Sequence, residues 1–139
     1  MAGMSKWFAK CSDWAPTVLR VVLGIVFIAH GYGKLWGGAP GMEAFTGMVV
    51  GLGMPAFMAY VAAIVEFFGG ILVLLGLFTR YAATLIGIVM LVAIFRAKWG
   101  MPLVGGYELD LALLAIAVAL MLSGPGKLSL EATIFKKEW

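Results

Sequence analysis

The chain has 139 residues, of which 63% are hydrophobic and only 12% are charged. A soluble domain carries about 25% charged residues, so this composition excludes a protein that covers its whole surface with polar groups. The formal net charge of +3 does not indicate a nucleic-acid partner, because the basic residues form no stripe with interleaved aromatic side chains. We expect one membrane domain over residues 1–139, in contact with the lipid bilayer.

Four apolar segments are long enough to cross a bilayer about 30 Å thick. They run over about residues 15–36, 55–78, 81–98 and 107–122. In lipid, only helices satisfy their own backbone hydrogen bonds at such lengths, so the sequence predicts an all-α, integral membrane four-helix bundle. We interpret the first segment as a retained spanning helix rather than a signal peptide, because it continues past its weak cleavage-like site.

The connections between these segments are rich in glycine and proline. Between the first two helices, residues 42–50 predict a short amphipathic surface helix. A tight turn at residues 79–80 joins the second and third helices, and residues 124–126 end the fourth. The tail, residues 128–139, mixes apolar side chains with lysines, and either lies on the membrane surface or frays.

The positions of lysine and arginine predict the orientation. Short cytoplasmic loops and ends carry an excess of these residues. The first long loop has none, whereas the two ends and the tight turn hold Lys6, Lys10, Arg20, Arg80, Lys127, Lys136 and Lys137. With four crossings, this pattern predicts that both termini are cytoplasmic. Arg96 and Lys98 lie near the opposite face, and this exception suggests another role for them.

Glu66 lies inside the apolar run of residues 61–75. A carboxylate there costs about 2.5–3.5 kcal/mol and normally faces a bundle interior or a wet cavity. Small residues recur at helical spacing with both Glu66 and Glu108, so we expect both carboxylates to face neighbouring helices. These small residues are Ala59, Ala62, Ala63, Gly69 and Gly70 for the first, and Ala112, Ala115 and Ala119 for the second. Asp110, rotated by about 200° from Glu108, is expected at the rim.

The titratable groups concentrate in the outer half of the predicted bundle. His30 and Lys34 share a helical face, and either of them is a candidate partner for Glu66. Arg96 is the candidate partner for Glu108. Three explanations stay open: the pairs fix helix register, they line a cavity open to the outer face that holds a quinone or another small molecule, or they pair with another subunit.

The cavity explanation assigns a role to each candidate residue. Glu66 would exchange a proton, and His30 would act as an acid or base or hydrogen-bond a carbonyl, so these two are the catalytic candidates. The candidates for ligand binding are Lys34, Arg96, Tyr107 and Glu108. We expect no metal site, because the chain has one histidine and one cysteine, and no motif encodes a flavin, haem or iron–sulfur cofactor.

Several motifs resemble the DoxX family. Residues 19–35, from Leu19 and Arg20 through Gly24 to the motif at residues 30–35, resemble its first helix. Residues 66–83 resemble its second helix and tight turn, and residues 107–114 and 124–131 resemble its fourth helix and closing motif. The family's usual aspartate after the closing serine is glutamate here, at Glu131. By position, the family's characteristic polar residues fall on His30, Lys34, Glu66, Glu108 and Ser129.

The resemblance implies a bacterial inner-membrane protein of four helices, often described as an oxidoreductase or respiratory component. We therefore expect a quinone-linked redox protein with an outward-facing polar pocket, in which electrons come from a partner or a bound substrate. The alternative is a non-catalytic accessory subunit of a larger membrane complex; the oligomeric state, including a homo-oligomer, stays open. A small-solute transporter is disfavoured, because neither broken half-helices nor an inverted repeat is evident.

Overall fold

The computed structural model describes residues 2–38 and 41–136, and every regular element in this part of the chain is a helix. Outside the described residues lie residues 39 and 40 of the first loop, and Lys137 with the two residues that follow it in the predicted tail. In chain order the helices are α1 Ala2–Lys10, α2 Ala15–Trp36, α3 Gly41–Gly51, α4 Phe57–Leu75, α5 Thr79–Val92, α6 Glu108–Ser123 and α7 Leu130–Thr133.

The described residues contain four helical stretches that are long and apolar enough to cross a membrane. They are Ser12–Trp36, Phe57–Leu75, Thr79–Ala97 and Leu103–Ser123. The all-α membrane class is thus confirmed. The second span ends three residues earlier than predicted, because Gly76 has a φ of 69° and adopts the left-handed conformation that ends helices.

The four spanning helices close into a ring around one apolar core. α2 packs on α4, α4 on α5, α5 on α6, and α6 returns to α2. The buried side chains at the centre include Leu23, Phe27, Val73, Ile86, Leu113 and Leu120. The short helix predicted between the first two spans is present as α3, which packs against α2 and α4.

Glycines bring α2 and α4 into close contact. A Cβ atom on Gly31 would lie 2.5 Å from the backbone nitrogen of Phe67, and one on Gly70 would lie 2.8 Å from the nitrogen of Ile28. No side chain fits at such distances. Small residues allow membrane helices to approach in this way, and the approach increases the van der Waals contact that holds them together.

Arg20 ties the C-terminal segment to the bundle at the far end of α2 from Lys34. Arg20 is 1% exposed, and its guanidinium donates to several backbone carbonyls. Nε donates to Pro125 at 2.7 Å, and Nη1 donates to Leu74 at 2.9 Å. Nη2 donates to the carbonyls of residues 127 and 128, each at 2.9 Å. A buried arginine is tolerated when its donors are satisfied in this way.

Glu131 and Ser129 continue the same network. Glu131 is fully buried; its backbone N–H donates to the Gly76 carbonyl at 3.1 Å, and its carboxylate accepts from the Thr79 N–H at 3.4 Å. The Ser129 side chain caps α7. The start of the tail is therefore built into the bundle, although Leu128, Ile134 and Phe135 remain exposed. That the rest of the tail lies on the membrane surface stays a prediction, as do the cytoplasmic termini.

Replacing Gly31 with alanine tests the close approach of α2 and α4. Because the new methyl group would meet the backbone of Phe67, which cannot move aside as a side chain can, we expect a loss of about 1–3 kcal/mol in the free energy of unfolding. Gly33→Ala is the matched control in the same helix, because a Cβ there meets nothing within 4 Å. Thermal unfolding in detergent compares the two variants, and equal melting temperatures would contradict the contact.

Candidate functional site

The carboxylate of Glu66 meets a cation from the neighbouring helix. Glu66 lies near the middle of α4 and is 4% exposed. Lys34 Nζ, from the last turn of α2, donates to Glu66 Oε2 at 2.5 Å. The sequence allowed either His30 or Lys34 as the partner of Glu66, and in the structure Glu66 pairs with Lys34. An unpaired carboxylate at this depth would be strongly destabilising, and the ion pair offsets that cost.

The glycine contact between α2 and α4 places this pair. Gly31 touches the backbone of Phe67, which directly follows Glu66. Lys34 is one helical turn beyond Gly31 and shares its face, so its side chain extends along α4 toward the carboxylate. Packing against Phe67 continues beyond the glycine, because the Trp36 ring lies 4.8 Å from that of Phe67 in an edge-to-face arrangement.

Lys34 also contacts the short helix α3. Its Nζ atom lies 4.3 Å from the centroid of the Phe45 ring, within the range of a cation–π interaction. The ammonium group is thus held by a carboxylate on one side and an aromatic face on the other. α3 is therefore part of the site, which the sequence did not indicate, since nothing in residues 42–50 shows where that helix packs.

A cavity of about 340 Å³ lies beside the ion pair. Its walls are mostly apolar and include Phe27, Phe45, Val61, Met90, Leu109 and Leu113. Its polar lining residues are His30, Lys34, Glu66, Arg96, Lys98 and Asp110. Small-molecule sites have volumes of about 300–1,000 Å³ and combine apolar walls with a few polar groups, so this cavity has the size and composition of a binding site.

A second ion pair lies on the α6 side of the cavity. Lys98 Nζ is 2.5 Å from Asp110 Oδ2. The same ammonium group donates to the carbonyl of Gly106 at 3.4 Å. Asp110 is 8% exposed. The cavity therefore has one compensated pair on α2 and α4 and another between the end of the third span and α6.

The predicted orientations of Glu108 and Asp110 on α6 are wrong, because each carboxylate has the orientation that was predicted for the other. Glu108 is exposed, whereas Asp110 faces the bundle. The buried face of α6 carries Asp110, Leu113, Ala117 and Leu120, and the alanine stripe that suggested Glu108 lies outside it. The spacing of the apolar residues three, seven and ten positions after Asp110 was the signal that would have identified it.

The expected contact between Arg96 and Glu108 is absent from the described residues. Both side chains are exposed, and the acid that α6 turns inward, Asp110, pairs with Lys98 instead. Arg96 nevertheless lines the cavity, so it adds a positive charge at an exposed edge. Tyr107 and Glu108 are not among the lining residues; Tyr107 is half-buried in the turn before α6.

His30 is exposed and also lines the cavity, which places it at the cavity's edge. Its Nδ1 atom lies 2.8 Å from the carbonyl oxygen of Val26, one turn earlier in α2. This contact fixes the orientation of the ring on the helix. His30 is therefore beside the ion pair rather than part of it.

Known proteins resemble this chain over most of its length. A family model described as DoxX matches residues 15–99. A Bacillus subtilis protein named "Putative oxidoreductase CatD" is 39% identical over 127 residues, covering 91% of this chain and 92% of that protein. "Inner membrane protein YqjF" of Escherichia coli is 29% identical over 131 residues, covering 92% and 98%. An uncharacterized membrane protein of Mycobacterium tuberculosis is 32% identical over 145 residues, covering 91% and 86%. No solved structure gives a significant match.

A double-mutant cycle on Lys34 and Glu66 tests the central ion pair. Lys34→Met and Glu66→Gln should each lower the free energy of unfolding, because each leaves one charge without its partner. The double variant should lose less than the sum of the two, by about 1–3 kcal/mol. Unfolding in detergent measures all four proteins. As a control, Glu66→Gln combined with Lys127→Met, at the far end of the bundle, should be additive. Additivity in the Lys34 cycle as well would contradict the pair.

Proposed function

The chain belongs to the DoxX family, as its motifs predicted, and we propose that it is a quinone-linked redox component whose cavity holds the quinone ring. It is a multi-pass protein of the inner membrane, a location where quinones dissolve in the same lipid that surrounds the bundle. The observation that carries the proposal is the ion pair between half-buried Lys34 and buried Glu66, which lines a mostly apolar cavity.

The lining residues fit a quinone in both chemistry and size. A ring of this kind presents flat apolar faces and two oxygens at its edge. The cavity offers apolar walls of matching character and a volume of about 340 Å³. Lys34 uses one of its three N–H donors on Glu66, so the others remain for a ring oxygen. Binding sites of this class need only a few such polar groups to fix orientation.

When bound, the quinone supplies a carrier of two electrons and two protons. The protein's part is to orient the ring and to handle the protons. Glu66 accepts or donates a proton at Oε1, and Lys34 neutralises the carboxylate between these events. Arg96, at the cavity edge, stabilises negative charge on the ring oxygens. The electrons pass to or from a redox partner protein or a second bound substrate.

The comparisons support the redox part of this proposal only in outline. The Bacillus subtilis relative has a printed name that describes an oxidoreductase, and it covers nearly the whole chain. The motifs that suggested the family include His30, Lys34 and Glu66, and all three line the cavity. The link to quinone rests on the chemistry of the cavity and on the family resemblance.

The second candidate function is a non-catalytic subunit of a larger membrane complex. The observation that favours it is that the two inner carboxylates are already compensated, Glu66 by Lys34 and Asp110 by Lys98. Such pairs also serve to fix helix register. In that case the cavity would be a packing defect, and the exposed apolar faces would contact a partner as well as lipid.

Glu66→Gln distinguishes these functions when ligand binding is measured by equilibrium dialysis with duroquinone, a quinone whose ring is fully substituted and does not add to Cys11. We expect saturable binding by the parent protein in mild detergent. Loss of the carboxylate disrupts the ion pair that orients the ring, so Glu66→Gln should bind about 10-fold or more weakly. The circular dichroism spectrum should stay helical, which shows that the bundle is intact.

Glu43→Gln is the matched control, since it makes the same chemical change at an exposed position on α3. It should bind duroquinone as the parent does. Equal affinities for Glu66→Gln and Glu43→Gln would contradict the cavity as the quinone site. Absence of binding in the parent protein, together with a stoichiometric large partner retained in mild detergent, would favour the accessory subunit.

A further inference from the structure

The contact made by His30 Nδ1 favours the tautomer that carries its proton on Nδ1. Nδ1 lies 2.8 Å from the backbone carbonyl oxygen of Val26. A carbonyl oxygen only accepts hydrogen bonds, so Nδ1 must be the donor. In the neutral ring, Nε2 then has no proton and presents a lone pair. Nε2 lies on the opposite edge of the ring from Nδ1, and His30 is a lining residue of the cavity, so Nε2 is the acceptor that His30 has available there.

Glu66 offers a second acceptor from the neighbouring helix. Its Oε2 atom receives Lys34, and the described residues provide no hydrogen bond to Oε1. An ionised carboxylate only accepts, and its two oxygens have about four acceptor sites. Since Glu66 lines the cavity, its remaining sites are available to a ligand. The α2–α4 side of the cavity therefore combines two acceptors with the ammonium group of Lys34.

This combination suits a hydroxyl group better than a carbonyl group. The oxygen of a quinone carbonyl accepts from Lys34 but has no hydrogen to give to His30 or Glu66. A phenolic hydroxyl accepts from Lys34 and donates to one of the two acceptors at the same time. A ligand that lacks the hydroxyl leaves these acceptors unpaired, and it therefore binds more weakly than the ligand that has the hydroxyl.

We infer that the cavity selects the reduced, hydroxyl-bearing form of the ring, a hydroquinone, over the oxidised form, and that His30 is a residue that determines this preference. The inference rests on the proposed function, because it concerns the same cavity. It revises the sequence-based expectation that His30 donates to a carbonyl, which would need a proton on Nε2. Glu66 and His30 are then the groups that accept hydrogen bonds from the ring's hydroxyls.

The test compares one ring in its two oxidation states. Equilibrium dialysis of the detergent-solubilised protein is run with duroquinol under anaerobic conditions and, separately, with duroquinone. The parent protein should bind duroquinol about 10-fold more tightly, the effect of one additional hydrogen bond. His30→Leu removes one of the two acceptors, so it should weaken duroquinol binding by about 3-fold or more and leave duroquinone binding within about 2-fold. His30→Gln, which keeps an acceptor oxygen, should retain more of the preference than His30→Leu.

Each outcome bears on a different statement. Equal binding of the two forms by the parent protein, or tighter binding of duroquinone, would overturn the selection of the reduced form and leave the ring site intact. A preference that persists unchanged in His30→Leu would overturn the role of His30. Binding of neither form would overturn the proposed function together with this inference. Glu43→Gln, on the exposed side of α3, should match the parent with both ligands.

Discussion

Glu66 places a carboxylate near the middle of a helix that is otherwise apolar, and its ion pair with Lys34 is the interaction on which this end of the bundle depends. The charge needs a partner because neither lipid nor an apolar core can solvate it. The partner can reach it only if α2 lies close to α4, and Gly31 makes that approach possible. The cavity lies beside this pair and is lined by both of its side chains.

The two ends of the bundle handle buried charge in different ways. At one end, the Arg20 guanidinium is enclosed by backbone carbonyls and lies in the network that buries Glu131, so it fixes the C-terminal segment in place. At the other end, Lys34 and Lys98 each contact a single carboxylate beside the cavity and keep donors that this contact does not use. The first arrangement stabilises a scaffold. The second leaves polar groups that a ligand can use.

The features predicted well from the sequence are those that the membrane itself imposes. Four apolar segments had to become four helices, and a carboxylate within one of them had to turn inward. On α4 the small residues marked the buried face correctly, because Ala59, Ala63 and Gly70 are all buried beside Glu66. On α6 the same argument failed. Larger side chains such as Leu113 form its buried face, so the alanine stripe identified the wrong carboxylate.

Contacts between segments distant in the sequence were beyond prediction for a different reason. Nothing local shows that Phe45 packs on Lys34, or that the chain after α6 returns to enclose Arg20, because both contacts depend on how the finished helices pack. The sequence identified Arg20 only as one of the basic residues at a membrane edge, and it did not indicate that this side chain is buried. Lys98 stood out as a basic residue on the unexpected side, and its pair with Asp110 accounts for that position.

The most direct measurement is an experimental structure of the protein in lipid nanodiscs with duroquinol present. The account predicts that Lys34 Nζ stays within about 4 Å of the Glu66 carboxylate. It also predicts that planar density lies between that pair and His30. A structure in which Glu66 pairs with a residue of another subunit, or in which protein side chains fill the space beside Lys34, would contradict it.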